Sequence, residues 1–132
     1  MSNKFLVLIS LCFSAVLFLG CGNTAPLLNY ENSPVTTVSG KKAKAEQVKK
    51  AIILAGTQKG WQMKEVKPGL LEATIFRSNL MAKININYSP DSYSITYKDS
   101  SNFRYDGTNI HKRYNHWIRL LNDQIRSQLI NI

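Results

Sequence analysis

The run Leu80–Tyr88 constrains this chain most. Leu80, Ala82, Ile84, Ile86 and Tyr88 alternate with Met81, Lys83, Asn85 and Asn87, the two-residue period of a strand with one apolar and one polar face. Its neighbours share the pattern. Trp61–Val66 leads into Lys67-Pro68-Gly69, with proline and glycine at the central positions that a type II turn requires. Leu70–Arg77 returns, and Ser78-Asn79 makes a tight turn into Leu80. After Ser89-Pro90-Asp91-Ser92, Tyr93, Ile95 and Tyr97 alternate with Ser94, Thr96 and Lys98. Connections this short force antiparallel pairing and predict a four-stranded meander. One apolar face per strand means a sheet covered on one side only. Its open side would show Gln62, Lys64, Glu72, Thr74, Lys83, Asn85, Asn87, Ser94, Thr96 and Lys98, either as a solvated face or as a docking surface.

Two helices supply the cover. From about Ala43, Ala45, Val48, Ala51, Ile52 and Ala55 fall on one face, with Glu46, Lys49, Lys50 and Thr57 opposite and Ile53 pointing outward. Gly60 is a natural stop. At the other end of the chain Ile110, Tyr114, Trp117, Ile118, Leu121, Ile125 and Leu129 form one stripe, with Thr108 or Asn109 as N-cap. The expected fold is α+β, a two-layer sandwich in the order α-β-β-β-β-α, with the N-terminal and C-terminal helices on one face of the meander. The unit covers residues 41–132, enough for one small core.

The first twenty residues are of another kind. Met1-Ser-Asn-Lys4 precedes an apolar run from Phe5 to Leu19 that ends at Gly20-Cys21-Gly22. The run is too short for a permanent span of roughly 20 residues. A basic start, an apolar stretch and a small residue before cysteine predict a lipoprotein signal peptide over 1–20, acylated at Cys21. Gly22 after the cysteine favours the periplasmic face of the outer membrane. Cys12 leaves with the signal peptide, so the mature chain has one cysteine, committed to lipid, and no disulfide. Residues 21–40 then read as an acylated flexible tether, with Pro34–Val38 a weak candidate edge strand.

Charge narrows the partners. The whole chain carries +9, which falls to +8 once Lys4 is removed with the signal peptide. A basic domain in the periplasm meets no nucleic acid. Anionic lipid, peptidoglycan carboxylates or an acidic envelope protein are its counterparts. Lys41, Lys42, Lys44, Lys49 and Lys50 follow the tether, with Glu46 the one acid among them, and are the candidate contacts to an anionic surface.

Chemistry is sparse. His111 and His116, about 140° apart on a helix, cannot share a metal. There is no phosphate-binding glycine loop and no nucleophile elbow. Asp99 and Asp106 lack the ligand spacing of a calcium loop, and turn or cap formation accounts for Asp99, Asn102, Asp106 and Asn109. No catalytic set, metal or cofactor is expected. The candidate binding loop is Asp99, Asn102, Arg104, Tyr105, Asp106 and His111, in the stretch from Asp99 to His111, where Phe103 and Tyr105 tuck the loop against the sheet.

Several strings also carry a resemblance: Gly60-Trp61-Gln62-Met63, Tyr88-Ser89 with Tyr93-Ser94-Ile95, Tyr97-Lys98-Asp99-Ser100-Ser101-Asn102, and Ile110-His111 with Tyr114-Asn115-His116-Trp117. Together they resemble an uncharacterised family of small Gram-negative outer-membrane lipoproteins. The resemblance implies a lipoprotein with one compact domain and supplies no activity; the domain is expected to be monomeric. The expected function is a non-catalytic envelope binding or scaffold module. The alternative is an inhibitor or accessory subunit of a periplasmic hydrolase, acting through the loop 99–109.

Overall fold

The computed structural model describes residues 22–132; the signal segment and Cys21 lie outside them. The order is β1 (Thr24–Pro26), β2 (Tyr30–Pro34), α1 (Ala45–Gln58), β3 (Gln62–Lys67), β4 (Leu70–Arg77), β5 (Leu80–Tyr88), β6 (Ser92–Ser101), β7 (Asn109–His111) and α2 (Lys112–Leu129). It is an α+β fold with two helices.

The meander is present, and it has a fifth strand. The sheet runs β2-β6-β5-β4-β3, with β1 and β7 paired separately. Every pairing is antiparallel. This corrects the four-stranded expectation and the flexible tether together. Gly22–Gly40 has linker composition, yet Tyr30 pairs with Ile95 and Thr24 with His111. Leu27, Leu28 and Tyr30 pack on the core, and that apolar contact outweighs the prolines and polar residues around them.

Tight turns behave as their residues dictate. Gly69 takes φ +87° in the turn from β3 to β4, where a side chain would be strained. Gly60 has the same φ, and its N–H donates to the Thr57 carbonyl at 3.1 Å while Trp61 N–H reaches Gly56 O at 2.9 Å. Those two bonds close α1 in a Schellman motif.

The alternation in the strands becomes burial. Leu71, Ala73, Ile75, Ala82, Ile84, Ile86, Tyr93 and Ile95 are buried beneath the helices, while Gln62, Lys64, Asn87 and Lys98 are exposed on the other face. Val48, Ala51, Ile52 and Ala55 of α1 meet Tyr114, Ile118, Leu121, Ile125 and Leu129 of α2 in the same core. Local corrections are small. Ala45 is exposed and Ala43 buried in its stead; Ile53 and Trp117 are half-buried. A bulge at Lys98 extends β6 through Ser101, which takes Asp99 out of the loop and into the strand. Thr108 and Asn109 do not cap α2, because pairing with β1 holds 109–111 extended. His111 is the cap: its Nδ1 accepts from Arg113 N–H at 3.0 Å.

The pairings give the domain two ends. The turns 67–69 and 89–92 lie at the upper end, and the turn 78–79, the loop 102–108 and the β1–β7 pair at the lower. At roughly 3.3 Å per residue, β6 separates them by about 30 Å.

Candidate functional site

The most developed concavity is built by the segment that sequence composition assigns to the tether. Three bonds fix this segment along β6: Tyr97 N–H to Asn29 Oδ1 at 3.0 Å, Asn32 N–H to Ser94 Oγ at 2.9 Å and Val35 N–H to the Asp91 carbonyl at 2.9 Å. Asn115 of α2, buried, clamps its beginning, donating to Pro26 O at 2.9 Å and accepting from Leu28 N–H at 3.0 Å. Val38 N–H then bonds Ile130 O at 3.0 Å and carries the chain across the end of α2.

Between β2 and the C-terminal half of α2 an open cleft of about 570 Å³ remains. Tyr30, Ser33, Pro34 and Thr36 form one wall, Asp123, Arg126, Ser127, Leu129 and Ile130 the other. Tyr93 and Asn122 lie between the walls and are joined by a bond of 2.6 Å from the phenol to Oδ1. Both are buried, so the pair is a preorganised polar element at the base of the cleft. Burial pushes the Tyr93 phenol up to about 12, against smaller opposing effects of Ser33 and Arg126. The phenol is therefore a neutral hydrogen-bonding group. Arg126 and Asp123 put opposite charges at an exposed rim. Concave, mixed in polarity and preformed, the cleft has the size and character of a small-ligand or peptide-side-chain site.

The candidate loop is present but dispersed. Asp99 is in β6 and accepts from Ser100 N–H at 2.8 Å. Asn102 donates to the Asn79 carbonyl at 2.5 Å. Asp106 accepts from Asn109 N–H at 2.7 Å and Thr108 N–H at 2.9 Å, bonds that hold its carboxyl below the usual range. Asp106 closes a local turn, whereas Asp99 lies in a strand and Asn102 bonds across to the β4–β5 turn. Phe103 is buried edge-on to Trp117, ring centres 5.1 Å apart. Tyr105 is more exposed and lies on Tyr97 at 4.2 Å. Arg104 is exposed at φ +53°. His111 uses Nδ1 as the helix cap, and both histidines sit at the start of α2, far along the helix from the cleft.

The lysines do not form one surface. Lys42 lies 3.6 Å from Asp91 at the upper end. Lys49 bridges Glu46 at 3.0 Å and Glu65 at 3.1 Å; these bonds, Glu46 first, hold its ammonium above the usual lysine range. Lys41, Lys44 and Lys50 are exposed. On the open sheet face Glu72 accepts from Lys98 and faces Lys83 at 3.8 Å. The Lys98 bond is the main reason its carboxyl stays below the usual range. Among the described residues no three His, Cys, Asp or Glu side chains come together to hold a metal.

Sequence reasoning missed Tyr30, Ser33, Thr36, Asn122 and Arg126 as one site. The available signals were Leu27, Leu28 and Tyr30 clustered in a supposed linker, and Asn122 lying between the apolar Leu121 and Ile125 of the helix stripe. No protein-family model, curated protein or solved structure matches this chain.

Proposed function

We propose that this chain is a lipid-anchored, periplasm-facing envelope lipoprotein whose domain is a non-catalytic binding module, and that the β2–α2 cleft is its ligand site. The cleft carries the reading. It is the larger of the two cavities described, the second being a gap of about 260 Å³ by Trp61 and Trp117. The segment that forms one wall is tied to α2 at its start by bonds across 87 and 89 residues of sequence, and the floor holds a buried tyrosine–asparagine pair. Preorganisation of that kind lowers the ordering cost of binding. The side chains offer apolar area, hydroxyls and the Arg126 guanidinium, which suits recognition by contact and hydrogen bonding. The anchor is read from Gly20-Cys21-Gly22, outside the described residues.

Two experiments test the reading. Cys21→Ser should abolish acylation and leave the precursor unprocessed in the inner membrane; a mature, membrane-bound Cys21→Ser product would refute the anchor. For the cleft, the acylated protein is used to capture partners from detergent-solubilised envelope. A stoichiometric partner should be lost with Ser33→Trp, which fills the cleft, and with Arg126→Glu. Retention of that partner by both variants, with the domain folded, would place binding elsewhere.

A further inference from the structure

We propose that the lower end of the domain is a docking face for anionic phospholipid, which holds the cleft end away from the bilayer. The proposal rests on acylation of Cys21, as proposed above.

The first ground is the length of free chain. Asn23 O accepts from Lys112 N–H at 2.7 Å, and Thr24 is already paired with His111. Cys21 precedes Asn23 by two residues, and covalent geometry keeps their Cα atoms within about 7 Å in any conformation. A coil of 19 residues would have let the domain drift roughly 25 Å from its anchor. The paired strands remove that freedom. A diacylglyceryl group on Cys21 therefore brings the β1–β7 end to the headgroups.

The second ground is what that end exposes. Arg77, Arg104, Lys112 and Arg113 are exposed there, and among the described residues none of the four has an acidic partner within 4 Å. The first turn of α2 contains Lys112 and Arg113 and no acid. Cations are disfavoured at a helix N-terminus, so the domain alone gains nothing from this placement, while phosphate groups opposite it would reverse the sign. Phe76 is 61% exposed and Tyr105 37%, large aromatic surface of the kind that partitions into a headgroup layer. The Asn102–Asn79 bond ties the loop to the hairpin that carries Phe76 and Arg77, and the bond from His111 N–H to Phe103 O ties it to the start of α2.

Magnitude decides against the other basic cluster. Lys42 lies 3.6 Å from Asp91 at the upper end, about 30 Å from the lower by strand length. That is roughly three to four Debye lengths at physiological salt. Lys41, Lys42 and Lys44 feel little of the surface field, and the cleft beside them opens to the aqueous periplasm. The loop 102–108 is turned to lipid and is not free to plug a periplasmic enzyme.

The test uses the mature acylated protein in phosphatidylglycerol vesicles doped with a headgroup spin-labelled phospholipid. The Cys21 sulfur is alkylated by lipid, so one introduced thiol carries a fluorophore, through either Asn79→Cys at the lower end or Lys67→Cys at the upper. Quenching should be several-fold stronger for Asn79→Cys, and Lys112→Glu with Arg113→Glu should reduce that difference. Equal quenching, or stronger quenching at Lys67→Cys, overturns the orientation. A difference unchanged in neutral phosphatidylcholine vesicles and unaffected by the two glutamates overturns the anionic docking face. Mass spectrometry of the Cys21 peptide separates the two readings: without an acyl group the lipoprotein assignment fails, and the orientation with it.

Discussion

Two buried tyrosines make opposite predictions. Tyr93 donates to Asn122 Oδ1 at 2.6 Å, whereas the Tyr114 hydroxyl is buried with no hydrogen-bond partner among the described residues. An unsatisfied buried polar group costs about 1–3 kcal/mol. Tyr93→Phe strands the Asn122 oxygen and should destabilise by about that amount. Tyr114→Phe removes the unsatisfied hydroxyl and should be neutral or stabilising by about 1 kcal/mol. Urea unfolding of both variants checks this, and a large loss from Tyr114→Phe would show that its hydroxyl has a partner. The same phenols govern alkaline behaviour. Burial raises both, Tyr93 to about 12 from its ordinary 10.0. A folded pKa above the unfolded one means that the native state holds its proton more tightly. Stability is then complete below pH 10 and falls as pH rises toward 12, by roughly 2–3 kcal/mol for Tyr93. The urea midpoint of Tyr93→Phe should fall less between pH 8 and pH 11 than that of the parent; parallel loss would remove Tyr93 as the cause.

Asn115 and the two N-terminal strands form a testable unit. Its amide bonds Pro26 and Leu28 across 89 and 87 residues of sequence, so Asn115→Ala should release the beginning of the chain while the meander stays intact. Limited proteolysis should then cut within residues 24–35 many times faster, with the rest of the domain protected; unchanged protection would mean strand pairing alone suffices. Helix α2 invites a comparison. Leu121 is fully buried in the stripe and Trp117 half-buried at its margin. Leu121→Ala should cost about 2–5 kcal/mol. Trp117→Ala should cost less than the roughly 3–5 kcal/mol of a fully buried aromatic, because part of the ring already meets water. Thermal or urea unfolding ranks the two, and the reverse order would place Trp117 at the centre of the core.

The orientation proposed for the domain turns on how close to Cys21 strand pairing begins. If Cys21 is acylated as proposed, strand β1 leaves almost no slack between lipid and fold, so orientation would be a property of the tether as much as of charge. Inserting about twelve Gly/Ser residues between Gly22 and Asn23 adds a coil of roughly 20 Å root-mean-square span. The difference in lipid quenching between the two ends should then shrink without loss of acylation or stability. An unchanged difference would assign orientation to the basic face alone. Either result tells whether the tether or the basic face sets the orientation of the cleft.

Much of this was legible in the chain. The alternation of Leu80–Tyr88, the Pro68-Gly69 turn and the stripe from Tyr114 to Leu129 specify strands, turns and a helix locally, because side-chain period and turn chemistry act over a few residues. Leu70–Arg77 and Leu80–Tyr88 match to the residue. Residues 22–40 carry no such local code. Their strands exist because Tyr30 finds Ile95 and Asn115 finds Pro26, contacts 65 and 89 residues apart that no periodicity announces. The same long-range closure converts a linker into a cleft wall, makes His111 a cap and sets the lysines of 41–44 at the end opposite the β1–β7 pair. Local pattern wrote the elements; which surfaces they enclose depended on contacts between segments distant in sequence, because burial and hydrogen bonding reward proximity in space.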